Sequence, residues 1–189
     1  KLYLDIRDIF VETINDVLPR LLALPTRPLL SLVERWTIKQ ADKVNLVSRG
    51  FGPYFNARYP CLQCSFFTNG IDEEFIEAGA RVRVPGPEHT PLTVLYAGNI
   101  GEGQGLHTII PVLAKRMRGR VIFKLIGDGG RKAALQVALQ KAEADNVELL
   151  PPVERDWLIQ AYQEADVLFL HLNDYDAFKR VLPSKLFEY

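Results

Sequence analysis

Thr93-Val94-Leu95-Tyr96-Ala97-Gly98-Asn99-Ile100-Gly101-Glu102-Gly103-Gln104-Gly105-Leu106 changes period within one short stretch. A continuous apolar run empties into a loop with four glycines. Ile109, Ile110, Leu113 and Met117 then continue from Leu106 at the spacing of a single helix stripe. An apolar run without alternation fits a strand buried on both faces. The same unit recurs downstream. Val121–Ile126 reads as a strand followed by the good helix formers of Arg131–Ala144. Val147–Leu150 is a third strand, Glu154–Glu164 a helix with Trp157, Leu158 and Ala161 on one side, and Val167–Leu170 a fourth strand. Strand–helix alternation of this kind predicts an α/β fold with a parallel sheet covered on both faces.

Upstream, Arg83-Val84-Pro85-Gly86-Pro87-Glu88-His89-Thr90-Pro91 places three prolines and a glycine between two periodic regions, as an interdomain joint does. The reading is therefore a first domain over 1–84, a linker over 85–91 and a second domain over 92–189. In the first, Lys1–Ile6 reads as a strand, and Leu29, Leu32, Val33 and Trp36 mark one face of a helix reaching about Ala41. Val44–Val47 is a strand ending at Ser48, Phe51–Tyr59 a helix, and Ser65–Phe67 a short strand emptying into the turn signal Asn69-Gly70.

Composition narrows the function. The chain has 189 residues, 48% hydrophobic and 24% charged, with 23 basic and 23 acidic side chains. That is enough apolar material for a core, and zero net charge gives no electrostatic case for nucleic acid as a partner. No apolar run approaches the roughly 20 residues that cross a bilayer. Cys61 and Cys64 form a lone CxxC; two thiolates do not close a zinc site, and the three histidines are scattered. Incidental, reduced cysteines and no metal are expected.

Ligands of open α/β sheets gather at the carboxyl ends of strands. Three loops lie there. In the first, the glycines of 98–105 allow tight turns and close approach of a diphosphate, and the next helix supplies unpaired N–H groups. An ordinary βα loop would look the same, since neither GxGxxG nor GxxxxGK[ST] fits. The second, Gly127-Asp128-Gly129-Gly130, is a ligand loop or a plain turn with Asp128 capping the next helix. The third runs from His171, either a polar ligand or a hydrogen-bonded core histidine. It continues past Arg180 to Leu182-Pro183-Ser184-Lys185-Leu186-Phe187-Glu188-Tyr189. Lys185 and Glu188 share one helix face; they pair with each other, or offer a point charge for phosphate and a carboxylate for two sugar hydroxyls. A helix opened by Ser184 has barely a turn here and is expected to fray. In the first domain, Asp5-Ile6-Arg7-Asp8 places alternating charges at a strand mouth, making Asp8 a surface charge or a ligand group.

Taken together, these pieces give a family likeness. Asp5-Ile6-Arg7-Asp8-Ile9, Ala41–Val44 through Ser48, Thr68–Asp72, Tyr96–Gly101 through Leu106, Ile126–Gly129, Ala165–Leu168 and Leu182–Tyr189 stand in the order of the bacterial nucleotide-sugar-dependent glycosyltransferases of family 4. The chain resembles these retaining enzymes, and most closely their surface-polysaccharide branch. The resemblance implies a GT-B-like pair of Rossmann-type parallel-sheet domains, both incomplete in a central fragment. It implies a nucleotide-sugar donor carried on uridine diphosphate, a lipid-linked or saccharide acceptor, and no metal or other cofactor. It also implies cytoplasmic work with peripheral association at the inner membrane face. Glu188 would close the family's E-x7-E signature on the ribose; loop 98–105 with Gly127 and Asp128 would cover the diphosphate. Asp8 and His171 would stand near acceptor or sugar. Two departures are visible: Arg180 occupies the opening glutamate's position, and Asn99 and Gln104 replace an arginine and a lysine. Lys185 or Arg180 is then the expected source of positive charge. Rival readings are a sugar-nucleotide epimerase of similar fold and a non-catalytic nucleotide-binding or interaction module. A dinucleotide oxidoreductase fits less, because its glycine pattern is missing.

Overall fold

The computed structural model describes residues 1–17, 20–79 and 91–189, with 15–17 and 20–25 described by backbone only. The Pro/Gly-rich joint up to Thr90 lies outside the described residues. The chain forms two compact units: Lys1–Gly70 with Asp174–Phe187, and Ile71–Asn173 with Glu188–Tyr189.

In the first unit, β1 (Tyr3–Ile6), β2 (Lys43–Leu46) and β3 (Cys64–Ser65) form a parallel sheet in that order. Two helices, α1 (Phe10–Val17) and α2 (Arg20–Gln40), lie between β1 and β2; α3 (Gly52–Arg58) follows a 3-10 turn at Arg49–Phe51. The core gathers Ile9, Ile38, Val44, Leu46, Phe51 and Phe55. Glu34 joins α2 to α3 by accepting hydrogen bonds from Tyr54 Oη at 2.9 Å and Tyr59 Oη at 2.9 Å. Burial first, and this carboxylate second, push the Tyr59 phenol up to about 12. The stripe Leu29, Leu32, Val33 and Trp36 does mark one face of α2, but that face points outward, with 50–65% exposure. Ile38 carries the buried side instead.

The segment Asp174–Phe187 packs with this unit. Its 3-10 turn, Asp176–Arg180, lies against α1 and the turn Arg49–Phe51. Ser48 Oγ donates to the Arg180 carbonyl, and a Cβ added at Gly50 would stand 2.7 Å from that same oxygen.

The second unit begins with α4 (Glu73–Gly79), then β4 (Leu92–Ala97), α5 (Leu106–Arg116), β5 (Val121–Ile126), α6 (Lys132–Lys141), β6 (Val147–Leu150), α7 (Arg155–Glu164) and β7 (Val167–Leu168). All four strands are parallel, in the order β6-β5-β4-β7. Alternate residues of each strand face opposite layers. Val94, Tyr96, Phe123 and Leu125 meet Leu106, Ile110 and Leu135 of α5 and α6. Leu95, Ala97 and Ile126 meet Leu158, Ala161 and Tyr162 of α7. Two apolar layers explain why these strands read as unbroken apolar runs. Strand β7 is shorter than Val167–Leu170, although Phe169 N–H still donates to Leu95 O at 2.7 Å. Helix α4 is held to α7 by Arg155, which ion-pairs with Glu74 at 3.0 Å and with Asp72, and by Phe75 against Tyr162.

Candidate functional site

Strand β4 lies between β5 and β7, so the chain leaves it in one direction and returns on its other side. In open α/β sheets such a reversal marks the ligand-binding crevice, which here falls at the carboxyl ends of β4 and β7. Loop 98–105 lines that crevice, and its path is closely held. Gly98 N–H donates to Ile126 O at 2.8 Å, and Ile100 N–H to Asp128 O at 2.7 Å. Tyr96, fully buried, donates its hydroxyl to Asn99 O at 2.6 Å. Gly127 and Gly129 have positive φ, at 144° and 155°; side chains there would overlap Gly98 O and the Asn99 side chain. The two glycine loops therefore cross at a spacing that excludes Cβ atoms.

The third loop clamps the first. His171 Nδ1–H donates to Gln104 O at 2.7 Å, and the ring stacks on Phe169. A carbonyl partner fixes the proton on Nδ1 and leaves Nε2 for other contacts. Asn173 donates its backbone N–H to Gly103 O at 2.8 Å and its side-chain amide to Glu102 O. Gly105, at φ 58°, must be glycine because the Asn173 amide occupies the space of a Cβ. Asn173 is a site residue that sequence reading misses; an asparagine after a strand carries no signal for a partner some seventy residues back.

Lys132 and Arg131 likewise carry no signal in the sequence for their partners here. Lys132 Nζ donates to Gly127 O at 3.1 Å and lies 3.8 Å from Asp128, while Arg131 pairs with Glu102. Asp128 does not cap α6: its Oδ1 accepts from Gly129 N–H at 2.8 Å, and the capping position is Arg131. A cavity of about 620 Å³ around Leu139, Ala144 and Val147 is at the amino end of β6, away from the glycine loops.

The expectation that the turn after Ser184 frays is corrected. Helix α8 (Lys185–Glu188) forms, and tertiary contacts supply what its length does not. Tyr189 Oη accepts from Ala97 N–H at 3.4 Å, and its ring meets Tyr162 edge-on at 5.2 Å. Tyr162 Oη donates to Glu188 at 3.4 Å. Burial, the neighbouring Tyr189 and then Glu188 raise the Tyr162 phenol far above its ordinary value, so this hydroxyl stays a donor.

Three candidate residues belong to the first unit: Asp8, Arg180 and Lys185. Arg180 Nη1 donates to both oxygens of Glu12 at 2.9 Å, so its present partner is a carboxylate of α1. Asp8 lines a cavity of about 510 Å³ with Phe10, Val11, Val33, Thr37 and Phe55. Burial raises its pKa above the ordinary 3.8. A carboxyl that titrates higher when folded stabilises the fold most below its unfolded value, and stability falls as pH rises through the folded one. Asp8→Asn is therefore expected to melt higher than the parent at pH 7. Thermal unfolding across pH should show the advantage vanish below about pH 4.

Cys61 and Cys64 are free thiols, and burial pushes Cys64 up, away from a reactive thiolate. No group of three His, Cys, Asp or Glu side chains among the described residues has the geometry to hold a metal ion. No helix among them is long and apolar enough to cross a membrane.

A doubly wound unit with glycine loops crossing at its switch point is the architecture of nucleotide-binding α/β proteins. Residues 81–182, more than half of the chain, match the family model described as glycosyl transferases group 1, and the chain belongs to that family. It is 38% identical over 94 residues to the putative colanic acid biosynthesis glycosyl transferase WcaI of Escherichia coli (strain K12), covering 49% of this chain and 23% of that protein. Sucrose-phosphate synthase from Thermosynechococcus elongatus is similar in structure at TM-score 0.70 and 16% identity, over 98% of this chain and 47% of that one. Anabaena HepE, in complex with UDP and glucose, is similar at TM-score 0.58 and 16% identity, over 88% and 45%. These likenesses show a GT-B-like α/β fold with two parallel-sheet, Rossmann-type regions. The chain spans less than half the length of each of these three proteins.

Proposed function

We propose that this protein is a glycosyltransferase moving a sugar from a nucleotide-sugar donor, with uridine diphosphate as carrier, to a lipid-linked or saccharide acceptor with retention. The carrying observation is the crevice at the ends of β4 and β7, walled by loop 98–105, Gly127-Asp128-Gly129 and the His171–Asn173 clamp in a member of this family. Chemistry there would be electrostatic. Fixed N–H and amide donors stabilise charge gathering on the departing diphosphate and need no reorganisation when the bond breaks. Glu188, oriented by Tyr162, accepts from the ribose hydroxyls; Lys185 is a point charge for phosphate. His171 offers Nε2 near the sugar or acceptor, and Asp8, which lines a cavity of the first unit, is the candidate group for the acceptor. The relatives named for colanic acid biosynthesis and for a complex with UDP and glucose support this choice of acceptor and donor. A cytoplasmic location at the inner membrane face belongs to the same reading.

Incubating the full-length protein with a panel of UDP-sugars, with and without acceptor, tests it. Transfer of the sugar to the acceptor is expected, with unchanged donor when acceptor is omitted; isomerised donor without acceptor would identify an epimerase instead. Glu188→Gln should weaken UDP binding about tenfold in calorimetry, and unchanged affinity would remove the ribose role.

A further inference from the structure

Loop 98–105 treats its N–H groups unequally. Those of Gly98, Ile100 and Gly105 end on backbone carbonyls, of Ile126, Asp128 and Glu102, and hold the chain path. Gly101 N–H ends on a side chain, Gln104 Oε1, at 3.2 Å. The same oxygen accepts from Asn99 Nδ2 at 3.1 Å. One carboxamide oxygen thus gathers two donors, the arrangement that backbone anion sites present to a phosphate oxygen. Gly101 is buried, although Asn99 beside it is exposed. Its cover is the amide pair: a Cβ at 101 would stand 2.6 Å from Asn99 Nδ2 and 2.9 Å from Gln104 Oε1. Neither 99 nor 104 brings a positive charge, so recognition here falls to the donors themselves.

We propose that Gln104 is the internal occupant of a phosphate-oxygen site made by Gly101 N–H and Asn99 Nδ2. Its Oε1 keeps both donors aimed while the site is free of ligand, and leaves by side-chain rotation when a nucleoside diphosphate oxygen takes its place. The proposal rests on the donor-binding reading and names the atoms that do the recognising. The exchange runs toward the ligand because a charged oxygen makes roughly twice as strong a hydrogen bond as a neutral one. It breaks no backbone link, since Gln104 O stays on His171 and the loop keeps its three carbonyl-bound N–H groups.

Calorimetric titration of the full-length protein with UDP separates the possibilities. Gln104→Ala vacates the site and should bind UDP as tightly as the parent, or a few-fold tighter. Gln104→Glu holds the donors with a charged oxygen and should weaken binding about tenfold or more. Asn99→Ala, which deletes a donor, should weaken it about tenfold. If Gln104→Ala weakens binding as much as Asn99→Ala, Gln104 is a brace or a direct ligand contact and the proposal is wrong. Parent-like binding by Gln104→Glu overturns it as well. In both cases the donor reading stands. A parent protein that binds neither UDP nor inorganic pyrophosphate overturns the donor reading, and this inference with it.

Discussion

Gly127→Ala is expected to destabilise the second unit by about 3–5 kcal/mol, the sum of backbone strain and forced overpacking. Position 127 has φ 144°, a region that L side chains rarely adopt. The added methyl would also overlap Gly98 O, which is backbone. A flexible side chain can rotate away, whereas a carbonyl in the crossing of two loops moves only with its strand. Gly98 N–H and Gly127 N–H are fixed on Ile126 O and Leu150 O, so relief on one side breaks a link on the other. Chemical denaturation should show a lower midpoint with unchanged slope, and nucleotide binding should be lost with the loop crossing. Gly130→Ala is the control, because nothing lies within 4 Å of a Cβ there. Equal tolerance of both substitutions would refute the crossing.

Glu12→Gln is expected to cost about 2 kcal/mol and to loosen the segment 174–187 from the rest of the first unit. The figure lies between an exposed ion pair, at about 0–1 kcal/mol, and a buried one losing a partner, at about 3–5 kcal/mol. The pair is partly covered, at 39% and 28% side-chain exposure. Ser48 Oγ on Arg180 O and the fit of Gly50 beneath it hold the same turn, so the pair does not act alone. Arg180→Gln should show a similar loss, and the swap Glu12→Arg with Arg180→Glu should recover part of it. Nucleotide affinity tells this latch from a phosphate contact by sign. As a latch, Glu12→Gln weakens binding or leaves it alone. If Arg180 instead serves the diphosphate, the same substitution frees the guanidinium and tightens binding.

The strands Val121–Ile126 and Val147–Leu150 are legible to the residue, because each is an apolar run whose length is set by the sheet it crosses. Helix α5 is equally legible from Leu106, Ile110 and Leu113. Helices α1 and α4, of eight and seven residues, are not: so short a stretch gives no clear period, and contacts with α2 and α7 decide it. The stripe Leu29–Trp36 announces a helix but not the direction of its apolar side. Of the candidate site, the glycine loops and their place after strands are readable from spacing, while the amide pair over Gly101 is not.

Local chemistry therefore specified the alternation of strand and helix, the parallel sheets and the loops where a ligand would go. It did so because apolar period and glycine content act over a few residues. What the folded chain alone reveals are pairings over long separations. Asn173 closes on Glu102, Tyr189 Oη takes the Ala97 N–H, and Arg180 meets Glu12 across 168 positions of sequence. No local pattern encodes such partners. Their geometry arises only when the sheets have brought distant loops to within hydrogen-bond reach.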